Sequence, residues 1–165
     1  MADDLVTILI GPSAASLRVP EALVMRQSLL DTIDRTEREL IVVGFMIDDP
    51  MIVDRISSMA SGTIVEVHVD KKQTEKFQTA MAAAEKMRRS GAVVTMHDEG
   101  NRESLHAKVV ISDSTEAIVG SANLTSRGAD RNYEVGVRIR GPSVKILRRA
   151  VLQNLQQGSV DDASI

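Results

Sequence analysis

The stretch that decides the fold is LHAKVVISDSTEAIVGSAN, residues 105–123. It contains two apolar runs separated by Asp113 and Ser114, a pair that is typical of a tight turn. We therefore predict two closely spaced strands, at 105–112 and 117–119. His106 and Lys108 stand two positions apart on the first of them, so their side chains are predicted to project from the same face of the sheet.

The flanking sequence alternates between apolar runs rich in Val and Ile and segments of helical period. Further strands are predicted at 5–10, 40–45, 63–69, 92–96 and 133–139. Helices are predicted from Pro20 to about 38, at 51–59, at about 73–89 and from Pro142 onward, with a helical turn at 124–127. Asp48, Asp49 and Pro50 supply the capping and first-turn chemistry expected for the helix at 51–59. This rhythm predicts an α/β fold with a mixed, largely parallel central sheet and helices on both faces.

Length and composition bound the kind of protein. The chain has 165 residues, of which 43% are hydrophobic, and we expect a single domain over 1–157 with a frayed tail at 158–165. Cysteine is absent, which excludes disulfides, a thiolate nucleophile and a Cys-based zinc site. The acidic start and the short first apolar run do not resemble a signal peptide or a membrane span, so a cytoplasmic protein is expected.

Charge is distributed unevenly along the chain. The net charge of the whole is -3, whereas residues 101–150 contain nine basic and five acidic side chains. Such a stretch fits either a solvated face or a surface that attracts phosphates.

Six residues carry a motif. They are His106, Lys108, Asp113, Gly120, Ser121 and Asn123. Their spacing resembles the signature His-x-Lys-x4-Asp-x6-Gly-Ser-x-Asn of the phospholipase D superfamily, and the small chain with one motif resembles its nuclease-like branch. The resemblance implies a phospholipase D or endonuclease-like fold and a phosphodiesterase.

The residue types suit that chemistry. A neutral imidazole at His106 can attack phosphorus, while the ammonium of Lys108 balances charge on the phosphoryl oxygens. That ammonium also opposes a divalent cation in the same pocket, so no metal and no other cofactor is expected. Gly120 permits close backbone approach, and Ser121 and Asn123 can donate hydrogen bonds to a phosphate.

Two acidic residues are candidates for further roles. The resemblance implies that Glu134 orients His106 and favours its charged form. Asp113 has two alternatives of equal weight, a catalytic role or the shaping of a turn. His68 and His97 are interpreted as ordinary core or surface residues, because neither has a partner at motif spacing.

The resemblance also implies that two copies are needed. The reaction of the superfamily uses one histidine that becomes phosphorylated and a second that protonates the leaving oxygen. Because this chain has one motif, we expect a homodimer that joins two His106 side chains.

The first functional hypothesis is a metal-independent nuclease acting on DNA or RNA. One alternative is a phospholipase or a small-molecule phosphodiesterase, although no basic amphipathic helix or membrane anchor favours lipid. The other is a nucleic-acid-binding component of a bacterial defence or restriction assembly, working with a partner such as a helicase.

Overall fold

The computed structural model describes residues 3–11, 19, 21–98 and 104–157 of the chain. The strands are β1 (Leu5–Gly11), β2 (Leu23–Val24), β3 (Glu39–Gly44), β4 (Ile64–Asp70), β5 (Val93–His97), β6 (Val109–Ser112), β7 (Glu116–Gly120) and β8 (Glu134–Arg140). The helices are α1 (Met25–Asp34), α2 (Pro50–Met59), α3 (Lys71–Lys76), α4 (Gln78–Arg89), α5 (Ser126–Asp130) and α6 (Ser143–Gln157).

The strands form one mixed sheet in the order β2-β1-β8-β7-β6-β3-β4-β5, which confirms the mixed α/β fold. Within the described residues β1/β2, β3/β4 and β4/β5 pair in parallel. The pairs β1/β8, β3/β6, β6/β7 and β7/β8 are antiparallel. The sheet is therefore less parallel than the alternation of strands and helices in the sequence predicted, because the tight turn after β6 forces a hairpin into the middle of the sheet.

This topology brings several strand ends to one border of the sheet. The carboxyl ends of β3, β4, β5 and β7 meet the amino ends of β6 and β8 there. We call this border the upper edge, and the opposite border the lower edge. Loops that leave the upper edge come from distant parts of the sequence and can build a shared site.

Helices cover both faces of the sheet, as predicted. One face, here the α1 face, packs against α1, α2 and α4 in a core that includes Leu29, Ile52 and Met87. The other, the α6 face, packs against α6 through a smaller core that includes Val144 and Leu155. Within the part of the chain that the structure describes, no helix combines the length and the apolarity needed to cross a bilayer.

Several element boundaries differ from the prediction. The helix predicted at 73–89 is divided, because Phe77 has an extended backbone (φ -121°, ψ 119°) between α3 and α4. The first helix begins at Met25, since Leu23 and Val24 pair with β1 instead. Pro20 and the predicted tail 158–165 lie outside the described residues.

One local prediction is confirmed in detail. Asp49 caps α2, where its carboxylate accepts hydrogen bonds from the backbone N–H groups of Met51 and Ile52, and Pro50 occupies the first turn. This is the chemistry expected of an Asp-Pro pair at a helix start.

Candidate functional site

Most of the motif residues lie at the upper edge of the sheet. His106 and Lys108 directly precede β6, Ser121 and Asn123 follow β7, and Glu134 is the first residue of β8. The hairpin and the β7/β8 pairing hold these segments side by side. The structure thus brings together five of the residues singled out in the sequence.

The segment that carries the histidine is extended but is not part of the sheet ladder. The strand predicted from 105 begins only at Val109, because β7 ends at Gly120 and leaves 105–107 without a pairing partner. Two hydrogen bonds fix the segment. The Leu105 N–H donates to the Asp70 carboxylate (3.2 Å), and the Gly120 N–H donates to the Lys108 carbonyl (3.3 Å).

His106 and Lys108 are in direct contact, as their spacing predicted. The Lys108 Nζ lies 3.0 Å from His106 Nδ1 and donates to the His106 carbonyl at 2.6 Å. An ammonium has no lone pair, so when Lys108 is charged it donates to Nδ1 and the neutral imidazole carries its proton on Nε2. With this tautomer Nε2 can serve as a proton donor. Attack on phosphorus through Nε2 requires the other tautomer, in which the proton is on Nδ1.

Phe45 forms the apolar wall of the site. Its ring meets the His106 ring edge-on, with centroids 4.9 Å apart, and its centroid lies 5.4 Å from the Lys108 Nζ. Both contacts are of the kind that orient a cation and an imidazole against an aromatic face. Nothing in the sequence singled out this residue beyond its place at the end of the strand predicted at 40–45.

The Lys108 side chain is buried, with 8% of the residue exposed. Burial lowers the pKa of its ammonium, and the nearby Glu134 carboxylate opposes that change. A desolvated cation interacts more strongly with an incoming anion than a hydrated one does, because little water must be removed.

Ser121 and Glu134 are engaged with one another. The Ser121 hydroxyl donates to the Glu134 carboxylate and also accepts from the Val135 N–H (3.2 Å). Among the described residues the structure shows no hydrogen bond between Glu134 and His106, so the orienting contact that the resemblance implied is absent in this state. The two residues instead join β7 to β8 beside the site.

Gly120 serves close packing. A Cβ at this position would lie 3.1 Å from the Val135 carbonyl oxygen and 3.2 Å from the Met25 Cε. Gly136, its partner in the β7/β8 register, is at least as crowded, with Met25 Cε at 2.6 Å from the Cβ position. The glycine therefore lets β7, β8 and α1 approach one another under the site.

The backbone of Asn123 is closely packed, and its side chain has a buried acceptor without a hydrogen-bond partner among the described residues. Its Oδ1 is buried and has no hydrogen-bond partner within the described part of the chain. Gly128 packs so closely against it that a Cβ there would lie 2.4 Å from the Asn123 carbonyl oxygen. The next residue is also fixed, since the Leu124 carbonyl accepts from the N–H groups of Asp48 and Asp49, both at 3.1 Å.

Asp113 lies away from this cluster, at the lower edge. Lys108 and Asp113 are five residues apart along β6, a separation of about 16 Å in a strand. The Asp113 carboxylate accepts from the backbone N–H groups of Glu37, Arg38 and Glu39 at 2.9, 2.8 and 2.9 Å. Of the two alternatives, these contacts favour the shaping of a turn.

His68 and His97 do have a partner, namely each other. Their rings meet at 3.0 Å between His68 Nδ1 and His97 Nε2, on neighbouring strands β4 and β5. Burial lowers the pKa of both imidazoles, and the Glu66 carboxylate opposes this for His68. The sequence could not reveal the pair, because 29 residues separate the two histidines.

The basic stretch is not one continuous surface. Arg140 pairs with Glu116 (2.6 Å) and Arg148 pairs with Glu39 (2.5 Å), which neutralises part of its charge. Arg127 and Arg131, by contrast, are exposed in the connection between Asn123 and Glu134, close to the upper edge.

The fold matches solved structures over most of its length. A phospholipase D family member, Nuc from Salmonella typhimurium, superposes with a TM-score of 0.77 at 20% identity, covering 94% of this chain and 93% of the other. NucT from Helicobacter pylori gives a TM-score of 0.77 at 17% identity, with coverage of 94% and 98%. At such identities the likeness concerns the fold.

Sequence comparison finds a relative and a family. The DISARM protein DrmC of Bacillus paralicheniformis is 24% identical over 146 residues, which make up 86% of this chain and 59% of that protein. The profile of the family described as "Cardiolipin synthase, PLD-like domain" matches residues 29–156, a range that includes the whole motif. The chain therefore belongs to this phospholipase D-like family, within a superfamily of phosphodiesterases.

Proposed function

We propose that this protein is a metal-independent nuclease that cleaves phosphodiester bonds through a covalent intermediate on His106. The observation that carries the proposal is the contact between the His106 imidazole and the buried Lys108 ammonium at the upper edge. A nucleophile and a desolvated cation side by side are what attack on a phosphodiester requires.

In the first step Nε2 of His106 forms a bond to phosphorus, and the bond from phosphorus to the leaving oxygen breaks. That oxygen takes a proton from a second imidazole. In the second step the same imidazole removes a proton from water, whose oxygen bonds to phosphorus and releases His106. Lys108 releases Nδ1 of His106 and contacts the substrate phosphate instead. The side-chain amide of Asn123 donates a hydrogen bond to the same phosphate.

The second imidazole is assigned to His106 of a second copy. The two remaining histidines are engaged with each other on β4 and β5, and neither belongs to the motif. A homodimer with a two-fold axis next to the upper edge supplies two identical imidazoles, one for each role.

Glu134 has a proposed role that differs from its present contact. It lies beside Lys108, and its carboxylate is hydrogen-bonded to Ser121. When a phosphate draws Lys108 away from Nδ1, Glu134 becomes the acceptor available to hold the proton on that nitrogen, which leaves Nε2 free to attack. Asp113 is proposed to stabilise the fold without taking part in the chemistry.

Nucleic acid is the substrate class that we propose. Arg127 and Arg131 are exposed beside the motif and can contact further phosphates of an extended polyanion. One relative, aligned over 86% of this chain, is named as a DISARM protein, which supports a proposed place in a bacterial defence assembly. A helicase is kept as the proposed kind of partner. The family's description as a cardiolipin synthase domain supports the second candidate, a phosphodiesterase acting on phospholipid headgroups.

A substrate panel separates these candidates. Labelled single- and double-stranded DNA and RNA, and vesicles containing an anionic phospholipid, are each incubated with the protein in excess chelator. We expect cleavage of at least one nucleic acid and none of the lipid. Cleavage of lipid alone would transfer the proposal to the second candidate, and complete inhibition by chelator would contradict a metal-independent reaction.

A binding component without activity is distinguished by the same panel. Such a protein would retain nucleic acid in a filter-binding assay but cleave none of the substrates, and His106→Ala would leave its binding unchanged. An enzyme loses cleavage in that variant while the fold, measured by circular dichroism, stays the same.

A further inference from the structure

The segment that carries His106 runs past the ends of both strands beside β6. On one side β7 ends at Gly120, and on the other side β3 ends at Gly44, one residue beyond its last pair with β6. Residues 105–107 therefore have no strand partner on either side. The position of the candidate nucleophile depends on the contacts that this segment makes elsewhere.

One of these contacts comes from Asp70, which lies two strands away from β6 in the sheet. β4 is parallel to β3, and Asp70 stands one position beyond Val69, the residue that pairs with Gly44. From there its carboxylate reaches past the end of β3, and Oδ2 accepts a hydrogen bond from the Leu105 N–H at 3.2 Å. Asp70 thus supplies an acceptor on the side where β3 has ended.

The Asp70 carboxylate is buried, and both of its oxygens are used. The residue is only 4% exposed. Its Oδ1 accepts from the Gln73 N–H at 2.8 Å and so caps α3, while Oδ2 holds Leu105. A cap needs only one oxygen, and serine provides it about as well as aspartate does. The second oxygen, which is removed from water at a cost in free energy, is accounted for by its bond to the histidine segment.

Leu105 connects that bond to the histidine. Its side chain packs against the core under α6, and successive side chains of an extended segment point to opposite faces, so His106 and Lys108 point to the α1 face. The backbone is held at Leu105 by Asp70 and at Lys108 by the Gly120 N–H (3.3 Å). His106 lies between these two points.

We propose that Asp70 is a positioning residue for the reaction, which holds the His106 imidazole at the distance and in the direction from which it attacks phosphorus. This inference rests on the proposed function, because it takes His106 to be the nucleophile. Asp70 acts on the imidazole through the Leu105 backbone, so it is not itself a catalytic residue.

The expected effect is on the chemical step. A displacement of a reacting group by about 1 Å can lower a rate by about 100-fold. The groups proposed to hold the phosphate, Lys108 and Asn123, do not use the Leu105 N–H. We therefore expect loss of this hydrogen bond to lower kcat by at least about 10-fold and to leave KM within about threefold of the wild type.

Asp70→Ser tests this with one bond removed. Its hydroxyl can still accept from the Gln73 N–H and cap α3, but it lacks the second oxygen that reaches Leu105. Asp4→Ser is the matched control, because the Asp4 carboxylate also accepts a backbone N–H from a distant segment, that of Ser143 (3.0 Å), but at the lower edge. The control should retain the kcat of the wild type within about threefold.

The same bond can be removed from its other end. Replacing the Leu105 N–H with an ester oxygen leaves every side chain in place, including Asp70 and its bond to Gln73. We expect the same loss of kcat, and the ester combined with Asp70→Ser should lose less than about twofold more than either change alone. Fully additive losses would contradict a shared bond. If Asp70→Ser does not fold, which circular dichroism checks, the ester alone decides.

A measurement without substrate separates this inference from the proposed function. The chain has three histidines, so His106→Ala identifies the His106 imidazole signals in a long-range proton–nitrogen NMR spectrum. These signals report the contact of Nδ1 with Lys108 (3.0 Å). We expect Asp70→Ser and the ester to shift or broaden them and Asp4→Ser to leave them unchanged.

Two results would overturn the proposal: His106 signals that are unchanged in Asp70→Ser and in the ester, or, in an active enzyme, a kcat within about threefold of the wild type in both. If the wild type cleaves none of the substrates, the proposed function fails, and the imidazole signals still decide whether Asp70 positions His106.

Discussion

Replacing Asp113 separates stability from catalysis. Its carboxylate accepts three backbone N–H groups from 37–39, and its own N–H donates to the Glu39 carbonyl at 2.9 Å. Its backbone is in the left-handed region, with φ 51°. The residue thus ties the hairpin turn at the lower edge to the start of β3.

The expected loss can be worked out bond by bond. A hydrogen bond to a charged acceptor contributes about 1.5 kcal/mol at the low end of its range, and partial exposure reduces this to about 1 kcal/mol for each of the three. Asp113→Ala also places a Cβ residue without a polar side chain in the left-handed region, at a cost of about 1 kcal/mol. We expect Asp113→Ala to lower the free energy of unfolding by about 4 kcal/mol.

Asp113→Asn is the matched variant. Its amide oxygen can still accept the two bonds that now reach Oδ1, and asparagine tolerates the left-handed region, so the loss should be about 1 kcal/mol. Urea unfolding measures both variants, and the rate of phosphodiester cleavage is measured on the folded protein. We expect rates within about threefold of the wild type for both.

The pH dependence gives a second reading of the same residue. Burial alone would raise the pKa of Asp113, but the backbone donors at Glu37, Glu39 and Arg38 hold it below its ordinary value. Its contribution to stability is therefore present above pH 3.8 and is lost as the pH falls through the lower folded-state pKa. A large loss of cleavage in folded Asp113→Asn with little loss of stability would refute this reasoning.

Three further predictions follow from the site and the sheet. Lys108→Met should lower kcat/KM by at least about 100-fold, because it removes the ammonium that interacts with the phosphate. It should not lower the free energy of unfolding, because it replaces a desolvated charge with an apolar side chain; cleavage kinetics and urea unfolding measure the two effects. Gly128→Ala should destabilise the fold by about 2 kcal/mol through its backbone clash, whereas Gly62→Ala, with nothing within 4 Å, should be near neutral in thermal unfolding. The lowered pKa values of His68 and His97 make the wild type less stable as the pH falls below 6.5. His68→Gln should therefore lose less stability than the wild type between about pH 7 and pH 5, which urea unfolding at each pH checks.

The apolar periodicity was sufficient for the layers of the fold. Runs of Val and Ile predicted the central strands because these residues are buried on both faces, and Asp49 with Pro50 located the start of α2. The break at Phe77 was not predictable from period, because the apolar pattern continues through it while its backbone is extended.

The strand boundary at Val109 depends on a distant partner. Leu105 has the composition of a strand residue, but β7 ends before it can pair there, and Asp70 supplies the missing acceptor. Pairing of this kind is decided by tertiary structure, so a local pattern cannot place the end of a strand.

The site was predicted in part. Motif spacing brought His106 and Lys108 together correctly, since two residues in an extended segment share a face. The contacts of Phe45 and the pairing of His68 with His97 join residues far apart in sequence, and a single sequence holds no trace of either.

The most direct test of the central claim is the cleavage rate of His106→Ala in excess chelator, on the nucleic acid that the wild type cleaves fastest and at matched dimer content. Loss of the nucleophile should reduce the rate by at least about 1,000-fold while the far-UV circular dichroism is unchanged. A rate within about tenfold of the wild type would contradict the assignment of His106 as the nucleophile.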